Sequence, residues 1–337
     1  MARGDRTVEA LTTSLRCGVL GCADIAWRRM LRVLAAEPGL ELTAVASRDE
    51  ARAARFAREF GCAAVHGYEA LLGSADIDAV YVPLPAMLHT EWVEKALCAG
   101  KHVLVEKPLA ADPGDAERLL RLARSAGLVL RENMAFPQHA QHARVRRELD
   151  SGAIGELRDF SSVFTIPPLP EENIRYQPEV GGGALLDLGV YPIRAASHFL
   201  GPDVEVVHAV LRLQARTRTV ISGRVLACAA GGVTVDLAFG MEHSYRTSCE
   251  FAGSGGRLVL ERAFTPPTTY QPVLRFERQD HREQIVTRAD DQFANVVRSF
   301  VDAVRGGAGA AVDHDDASLR QARLVSEVER VARRVTV

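Results

Sequence analysis

The sequence predicts an α/β protein of two domains: a doubly wound parallel sheet, followed by an α+β unit built on an antiparallel sheet. Three observations carry that prediction. The chain has 337 residues, beyond the length at which a single hydrophobic core stops growing. Over about residues 14–136, short apolar runs alternate with amphipathic stretches of about ten residues, the pattern of right-handed crossovers in a parallel sheet. From about residue 203 to 286, one strand-like run follows another with glycine turns between them. The expected division is 14–136 and 137–337.

The elements follow in order. "LRCGVLGCADIAWRRMLRVLAAEPG" opens with an apolar strand, turns at glycines and enters a helix with Ile25, Met30, Val33 and Leu34 at helical spacing. Pro38-Gly39 ends that helix. "LELTAVASRD" reads as a strand and "EARAARFAREFG" as a helix closed by Gly61. "DIDAVYVPLP", "HVLVEKP" and "LVLREN" are strands, with "HTEWVEKALCAGK" and "DPGDAERLLRLARSAG" as the helices between them. Beyond these, helices are expected near 138–150 and 183–200. "VEVVHAVLRL", "GRVLACAA", "GVTVDLAFG" and "TSCEFAGSGGRLVLER" are strands, with Gly231-Gly232 and Gly253–Gly256 as hairpin turns. "DASLRQARLVSEVERVARRV" reads to its end as an amphipathic packing helix, with Leu319, Leu324, Val328 and Val331 on one side.

Composition removes several functional classes. A net charge of −2 argues against nucleic acid or an anionic membrane as partner. No apolar run is long enough to span a bilayer. The opening "MARGDRTVEALTTSLR" has arginines but no apolar core of a secretory signal, and is expected to be a poorly ordered leader. Six cysteines without a CxxC pair suggest neither zinc nor a dithiol, and a reducing cytoplasm is the expected compartment. His139 and His142, in "PQHAQH", lack a nearby carboxylate; a solvated helix face is expected there, and no metal.

A nucleotide site is expected at the first turn. Gly18 and Gly21 of "GVLGCADIA" lie between strand and helix, with Ala23 and Ala26 where a dinucleotide fingerprint would continue. Backbone amides and the helix start can cradle a pyrophosphate there, which makes Gly18, Gly21, Cys22, Ala23, Asp24 and Ile25 candidate cofactor contacts; the alternative is a plain tight turn. At the end of the second strand, Ser47 and Arg48 stand where an NAD enzyme carries a carboxylate. A hydroxyl and a guanidinium suit a 2′-phosphate, so NADP(H) is expected, with Asp49 read as the start of the next helix.

"HVLVEKPLA" ends a strand on Glu106 and Lys107, with Pro108 setting the turn. A lysine at the carboxyl end of a central strand can give a proton or hydrogen bond to a carbonyl receiving hydride. Glu106 would orient the nicotinamide ribose or pair with the lysine; the alternative for Lys107 is a surface ion pair. "GGGALLDLGVYPIRAASHFLG" places Asp187 and Tyr191 four residues apart on one helix face, behind the glycines 181–183. Lys107 and Tyr191 form a proton-relay pair in this reading, the ammonium lowering the phenol pKa, while His198 is structural.

Together, "GVLGCADIA", "VPLPAMLH", "AGKHVLVEKPL" and "GGGALLDLGVYP" resemble the glucose–fructose oxidoreductase/inositol dehydrogenase (Gfo/Idh/MocA) family, from about residue 16 to the C-terminus. The resemblance implies a Rossmann domain followed by an α+β domain with an open-faced, mostly antiparallel sheet, and a C-terminal helix that can pack back on the first domain. Substrate would sit between the two, with Lys107 catalytic and Leu84 and His89 lining the nicotinamide side. Many members have His at the position of Tyr191; the tyrosine points to dihydrodiol dehydrogenases, NADP-dependent xylose dehydrogenases and the sugar 3-ketoreductases of deoxysugar biosynthesis. "FTIPPLPEENIRY" and "RAFTPPTTYQP" resemble the last group, which implies NADPH-dependent reduction of the C-3 carbonyl of a TDP-linked 3-keto-6-deoxyhexose. Lys107 or Tyr191 would give the proton, Asp187 would position hydroxyls, and Arg175 and Tyr176 would touch sugar or phosphate. The alternatives are a dehydrogenase of a free sugar or dihydrodiol, and a non-catalytic sensor of sugar or nucleotide. A homodimer or homotetramer burying an apolar face of the open sheet is also expected.

Overall fold

Leu15–Leu20 (β1) carries no charge beyond Arg16, and its last four residues are fully sequestered. It forms the centre of a sheet in a computed structural model that describes residues 14–306 and 312–337; the leader 1–13 lies outside the described residues. A π-turn, Ala26–Met30, leads into α1 (Leu31–Ala36). Next come β2 (Leu40–Ser47), α2 (Glu50–Phe60), β3 (Ala63–His66), α3 (Tyr68–Leu72) and β4 (Ala79–Val82). Then follow α4 (His89–Cys98), β5 (His102–Glu106), α5 (Pro113–Ser125) and β6 (Leu130–Asn133). All six strands are parallel, in the order β3-β2-β1-β4-β5-β6. The chain winds outward from β1 in one direction and then from β4 in the other. The crevice at the carboxyl ends of β1 and β4 is therefore the switch point where such sheets bind ligands. Local chemistry fixes the helix ends: Asp49 accepts the Arg52 N–H to start α2, and Gly61 in the left-handed region stops it. β3 and α3 have no counterpart in the sequence reading. β3 is a four-residue edge strand with mostly exposed side chains, and α3 has only five residues, too few for a period to show.

The second half contains α6 (Ala140–Asp150), β7 (Leu157–Thr165), a 3₁₀ turn Ile174–Tyr176, α7 (Pro178–Gly181), a π-turn Leu185–Gly189 and α8 (Val190–Leu200). Seven strands follow: β8 (Glu205–Leu213), β9 (Val220–Ala229), β10 (Val233–Gly240), β11 (Arg246–Gly253), β12 (Arg257–Glu261), β13 (Val273–Arg278) and β14 (His281–Val286). Helices α9 (Gln292–Gly306) and α10 (Val312–Val331) precede a last strand, β15 (Ala332–Thr336). The sheet order is β14-β13-β12-β11-β7-β10-β9-β8-β15. It is mixed rather than purely antiparallel, because β7 runs parallel to β10 and β15 parallel to β8. The two glycine hairpins stand where the sequence places them, joining β9 to β10 and β11 to β12.

Three expectations are corrected here. The final helix stops at Val331, because residues 332–336 satisfy the open edge of β8 instead. His139 and His142 do not face solvent: both are buried, His142 Nε2 lies 2.8 Å from the Ala263 carbonyl, and the ring packs edge-on to Phe136. The outer sheet face is mixed rather than apolar: Leu226 and Val335 are exposed on it among charged residues. It carries the ion pairs Arg224–Asp236, Arg257–Glu250 and Arg275–Glu261, while the aromatic inner face meets the chain's own helices.

Two late helices tie the halves together. On α9, Val296, Val297, Phe300 and Val301 pack with Val19, Met30, Leu31 and Leu34 in the first-domain core. On α10, Leu319 and Ala322 meet the other side of that domain, while Val325 and Val328 enter the second core.

Candidate active site between the two sheets

The first turn leaves β1 at Gly21, whose φ of +117° is open to glycine alone; a Cβ there would meet Leu84 at 2.8 Å. Cys22 and Ala23 complete the turn, and Asp24 and Ile25 begin the helical run. Ala26 is fully buried, so the helix sits tight against the sheet. Gly18 has a different role from the one expected. It lies within β1, and a Cβ would strike Leu71 of α3 at 2.6 Å, so it serves packing rather than a cradle.

Beside the turn, Cys22, Ser47, Arg48, Asp49, Arg52 and Tyr68 line an open cavity of about 420 Å³. Ser47 Oγ accepts the Asp49 N–H at 3.1 Å, which folds the strand end into the cavity wall. The only carboxylate among these residues caps α2. Two guanidiniums, Arg48 and Arg52, therefore face the space with little local compensation, the donor set a ribose 2′-phosphate needs. Burial pushes the Cys22 thiol up to about 11, so it stays neutral. Arg52 was not a sequence candidate. Its signal was present, one helical turn after Arg48 and three residues after the cap, but arginines on amphipathic helices are usually solvent-facing.

Lys107 follows the last residue of β5 and points into the second domain. Its ammonium donates to the Asp187 carboxylate (Oδ1, 2.7 Å) and to the Asp187 carbonyl (2.8 Å). Arg175 Nε donates to the other carboxylate oxygen. The Tyr191 ring lies 5.3 Å from the lysine Nζ, and Phe164 holds it edge-on at 4.9 Å. The π-turn delivers Asp187 and the start of α8 delivers Tyr191. Lys107, Asp187, Tyr191 and Arg175 thus meet as one cluster.

Its electrostatics are set by burial against charge. Burial alone would raise the Asp187 carboxyl, but Lys107 and Arg175 reverse that and hold it well below the usual range. Burial pulls Lys107 down, and Asp187 and Tyr191 outweigh it, so the ammonium is held charged. Tyr191 differs from expectation. Lys107 does lower its pKa, but burial is stronger, and the phenol is pushed up to about 12. It is a protonated donor at neutral pH, not a phenolate. Among the described residues its hydroxyl has no hydrogen-bond partner, and one of the three ammonium N–H groups is likewise uncommitted.

Several other candidates sit elsewhere than expected. Glu106 does not pair with Lys107; it accepts from the Tyr81 hydroxyl (2.7 Å) and from Asn133 Nδ2 (2.6 Å), and burial raises its pKa. Asp187 has both oxygens engaged by cations, so it orients those cations rather than waiting for sugar hydroxyls. Tyr176 is 4% exposed and part of the second-domain core, so it is not a contact surface for sugar. Leu84 packs over the Gly21 turn. His89 is fully buried with Nδ1 at 2.6 Å from the Pro108 carbonyl and Nε2 at 2.8 Å from the Leu84 carbonyl. It braces the ends of β4 and β5 against each other from beneath the crevice. His198 packs against Phe199, and burial lowers its pKa to about 4. No metal-ligand cluster of His, Cys, Asp or Glu occurs among the described residues, and none of their helices is long and apolar enough to cross a membrane.

Comparison with known proteins agrees with this fold. The model of the oxidoreductase family with an NAD-binding Rossmann fold (GFO_IDH_MocA) matches residues 15–134, and the GFO/IDH/MocA C-terminal domain matches 142–259. A dTDP-3,4-didehydro-2,6-dideoxy-alpha-D-glucose 3-reductase of Streptomyces antibioticus is 57% identical, covering 95% of this chain and 97% of that protein. The protein of the same name from Actinomadura kijaniata is also 57% identical, over 95% and 96%. The crystal structure of a 3-ketoreductase from A. kijaniata with NADP and TDP-benzene superposes with a TM-score of 0.94 at 55% identity, covering 96% of this chain and all of that one.

Proposed function

The chain belongs to the Gfo/Idh/MocA oxidoreductase family, and from that premise we propose that it is an NADPH-dependent ketoreductase acting on the C-3 carbonyl of a TDP-linked 3-keto-6-deoxyhexose. The dTDP-3,4-didehydro-2,6-dideoxyglucose named for its relatives is the substrate to try first. The observation that carries this reading is the cluster at the carboxyl edge of the parallel sheet. A protonated phenol and a fixed ammonium, each with an uncommitted donor, stand at the carboxyl end of β5, in the same sheet whose β2 ends at a cavity with two guanidiniums.

The turn and cavity fit the cofactor. Gly21 lets backbone approach its pyrophosphate, and Arg48 and Arg52 hold the 2′-phosphate, with Ser47 shaping the wall. The bound reduced nicotinamide supplies the hydride. Tyr191 and Lys107 address the carbonyl oxygen. As negative charge grows there, the ammonium stabilises it and the phenol gives its proton, the pair acting in a largely water-free space where each charge counts for more. Asp187 keeps Lys107 and Arg175 aimed; Arg175 Nη1 donates to Asn173 Oδ1 at 3.5 Å, which leaves Nη2 to reach the sugar or its diphosphate. The six cysteines are free thiols, which suits a reducing cytoplasm. The outer face of the second sheet, uncovered by the chain's own helices, is the surface for pairing into a dimer or tetramer through its charged rows.

Mixing the protein with NADPH and enzymatically generated dTDP-3,4-didehydro-2,6-dideoxyglucose tests the activity. Nicotinamide absorbance falls with NADPH and this substrate, and stays flat when NADP+ is mixed with free xylose, whose oxidation would raise it. Turnover of the free sugar and none of the nucleotide-linked one would overturn the reading.

A further inference from the structure

Behind the reactive cluster lies a second buried polar knot. Glu132 on β6 receives four donors on one carboxylate. The Leu109 N–H (3.0 Å) and Gln321 Nε2 (2.8 Å) meet Oε1; Ser318 Oγ (2.8 Å) and the Arg194 guanidinium meet Oε2. Arg194 Nε in turn donates to Gln321 Oε1 at 2.9 Å. The two charged side chains are 1% and 6% exposed. None of these four side chains touches the cofactor cavity or the Lys107–Asp187 pair.

The connections show what this knot holds. Leu109 is two residues beyond Lys107, so Glu132 fixes the backbone turn that aims the ammonium. Arg194 is one helical turn beyond Tyr191 on α8, so the same carboxylate fixes the helix that carries the phenol. Ser318 and Gln321 come from α10, which packs on both domains. A single carboxylate thus measures the separation between the two proton-bearing groups, one from each domain. A simple packing contact needs no ion pair, and a buried pair is costly unless every donor is met, as here.

Building on the function proposed above, we infer that Glu132 and Arg194 are positioning residues of the reaction: they set the Lys107–Tyr191 geometry without touching substrate. Small displacements of reacting groups are expensive, so Glu132→Gln lowers kcat by about 10- to 100-fold while KM for the ketosugar and Kd for NADPH stay within about threefold. Arg194→Lys keeps the charge and recovers most of the rate; Arg194→Met does not. The effect also depends on its target: in a Lys107→Ala background, Glu132→Gln costs less than about threefold, since one of the two groups whose separation it sets is gone. Circular dichroism and NADPH titration establish that each variant is folded. Should Glu132→Gln not fold, the double variant Glu132→Gln/Arg194→Met, which leaves no lone buried charge, is assayed against the same criteria. A folded variant with kcat within about threefold of wild type, or an undiminished cost in the Lys107→Ala background, overturns the inference. Lys107→Ala separates the two levels: if it is inactive while Glu132→Gln is fully active, only the positioning role falls; if Lys107→Ala is itself fully active, the proposed site falls with it.

Discussion

The cavity at the end of β2 and the cluster at the end of β5 are built in opposite ways. The cavity draws its residues from one stretch, Cys22 to Tyr68, within one sheet and its first crossovers, and it is open to water. The cluster joins Lys107 to Asp187 across 80 residues of sequence and across both domains, and the two side chains are 12% and 16% exposed. An exposed guanidinium gains little until a phosphate arrives, and losing one leaves its neighbours undisturbed. A buried ammonium and carboxylate rely on each other, and removing either strands the other in a poor dielectric. The gripping end should therefore tolerate change by degrees, while the reacting end should fail sharply.

The sharpest test of that contrast is Lys107→Ala. It should lower kcat by roughly 10²–10⁴ and leave the NADPH dissociation constant, read by fluorescence titration, nearly unchanged. Tyr191→Phe divides the roles further. A comparable loss makes the phenol the donor; substantial retained activity gives that role to the ammonium. A kcat within a few-fold of wild type for Lys107→Ala would reduce the cluster to a buried ion pair and erase the difference between the two regions.

Asp187→Asn comes next. Without the carboxylate, Lys107 and Arg175 repel, and the larger part of the support that holds the ammonium charged is gone. We expect kcat to fall by about 10- to 100-fold through misaligned donors. The same carboxylate links stability to pH. Its pKa is depressed in the folded state, so its stabilisation is fully present above the unfolded carboxyl value of about 3.9 and is lost as pH falls through the folded value. Denaturant titrations below about pH 4 should show a steep loss for the wild type and a flatter one for Asp187→Asn. Identical slopes would mean the pair carries no differential protonation.

The same contrast explains what could be read in advance. The parallel domain was legible because most of its strands are buried apolar runs and most of its helices show their period, and its anchors (the Gly21 turn, Ser47-Arg48, Lys107) sit at strand ends, where function is expected. β3 lacks the apolar run of its neighbours, its side chains being mostly exposed, α3 is too short to show a period, and β15 was hidden because Ala332–Thr336 continues the helix without a breaker; only the open edge of β8 decides its state. Of the site, Lys107, Asp187 and Tyr191 were legible as residues, but not their wiring. That Glu106 turns to Tyr81 and Asn133, that Asp187 is shared with Arg175, and that burial outweighs the lysine at Tyr191 are tertiary facts with no local signature. Tyr176 and the histidines 139 and 142 misled for the converse reason: polar types read as surface are buried by packing that sequence spacing does not encode.

At the gripping end the effects should be smaller and confined to one cofactor. Arg48→Ala should weaken NADPH by about 1.5–3 kcal/mol, roughly 10- to 150-fold, and leave NADH nearly untouched. Equal loss for both cofactors would remove the 2′-phosphate from this cavity. Arg52 shares the wall, so Arg52→Ala should act in the same direction.

Ser47→Ala should be the mildest of all. The residue is 6% exposed, and the bond it makes is local: Oγ accepts the Asp49 N–H and holds the strand end that presents Arg48. Its removal leaves one backbone donor beside an open cavity, where water can replace it. The cost is that of a single neutral hydrogen bond, about 0.5–1.5 kcal/mol, spread between stability and NADPH affinity. Thermal unfolding with and without NADPH separates the two shares, because a ligand that binds only the folded state raises the midpoint according to its affinity. A loss of kcat on the scale of Lys107→Ala would show that the cavity and the cluster are coupled rather than separate. A few-fold rise in NADPH Kd with kcat unchanged would show that a locally built wall can lose one support and still grip.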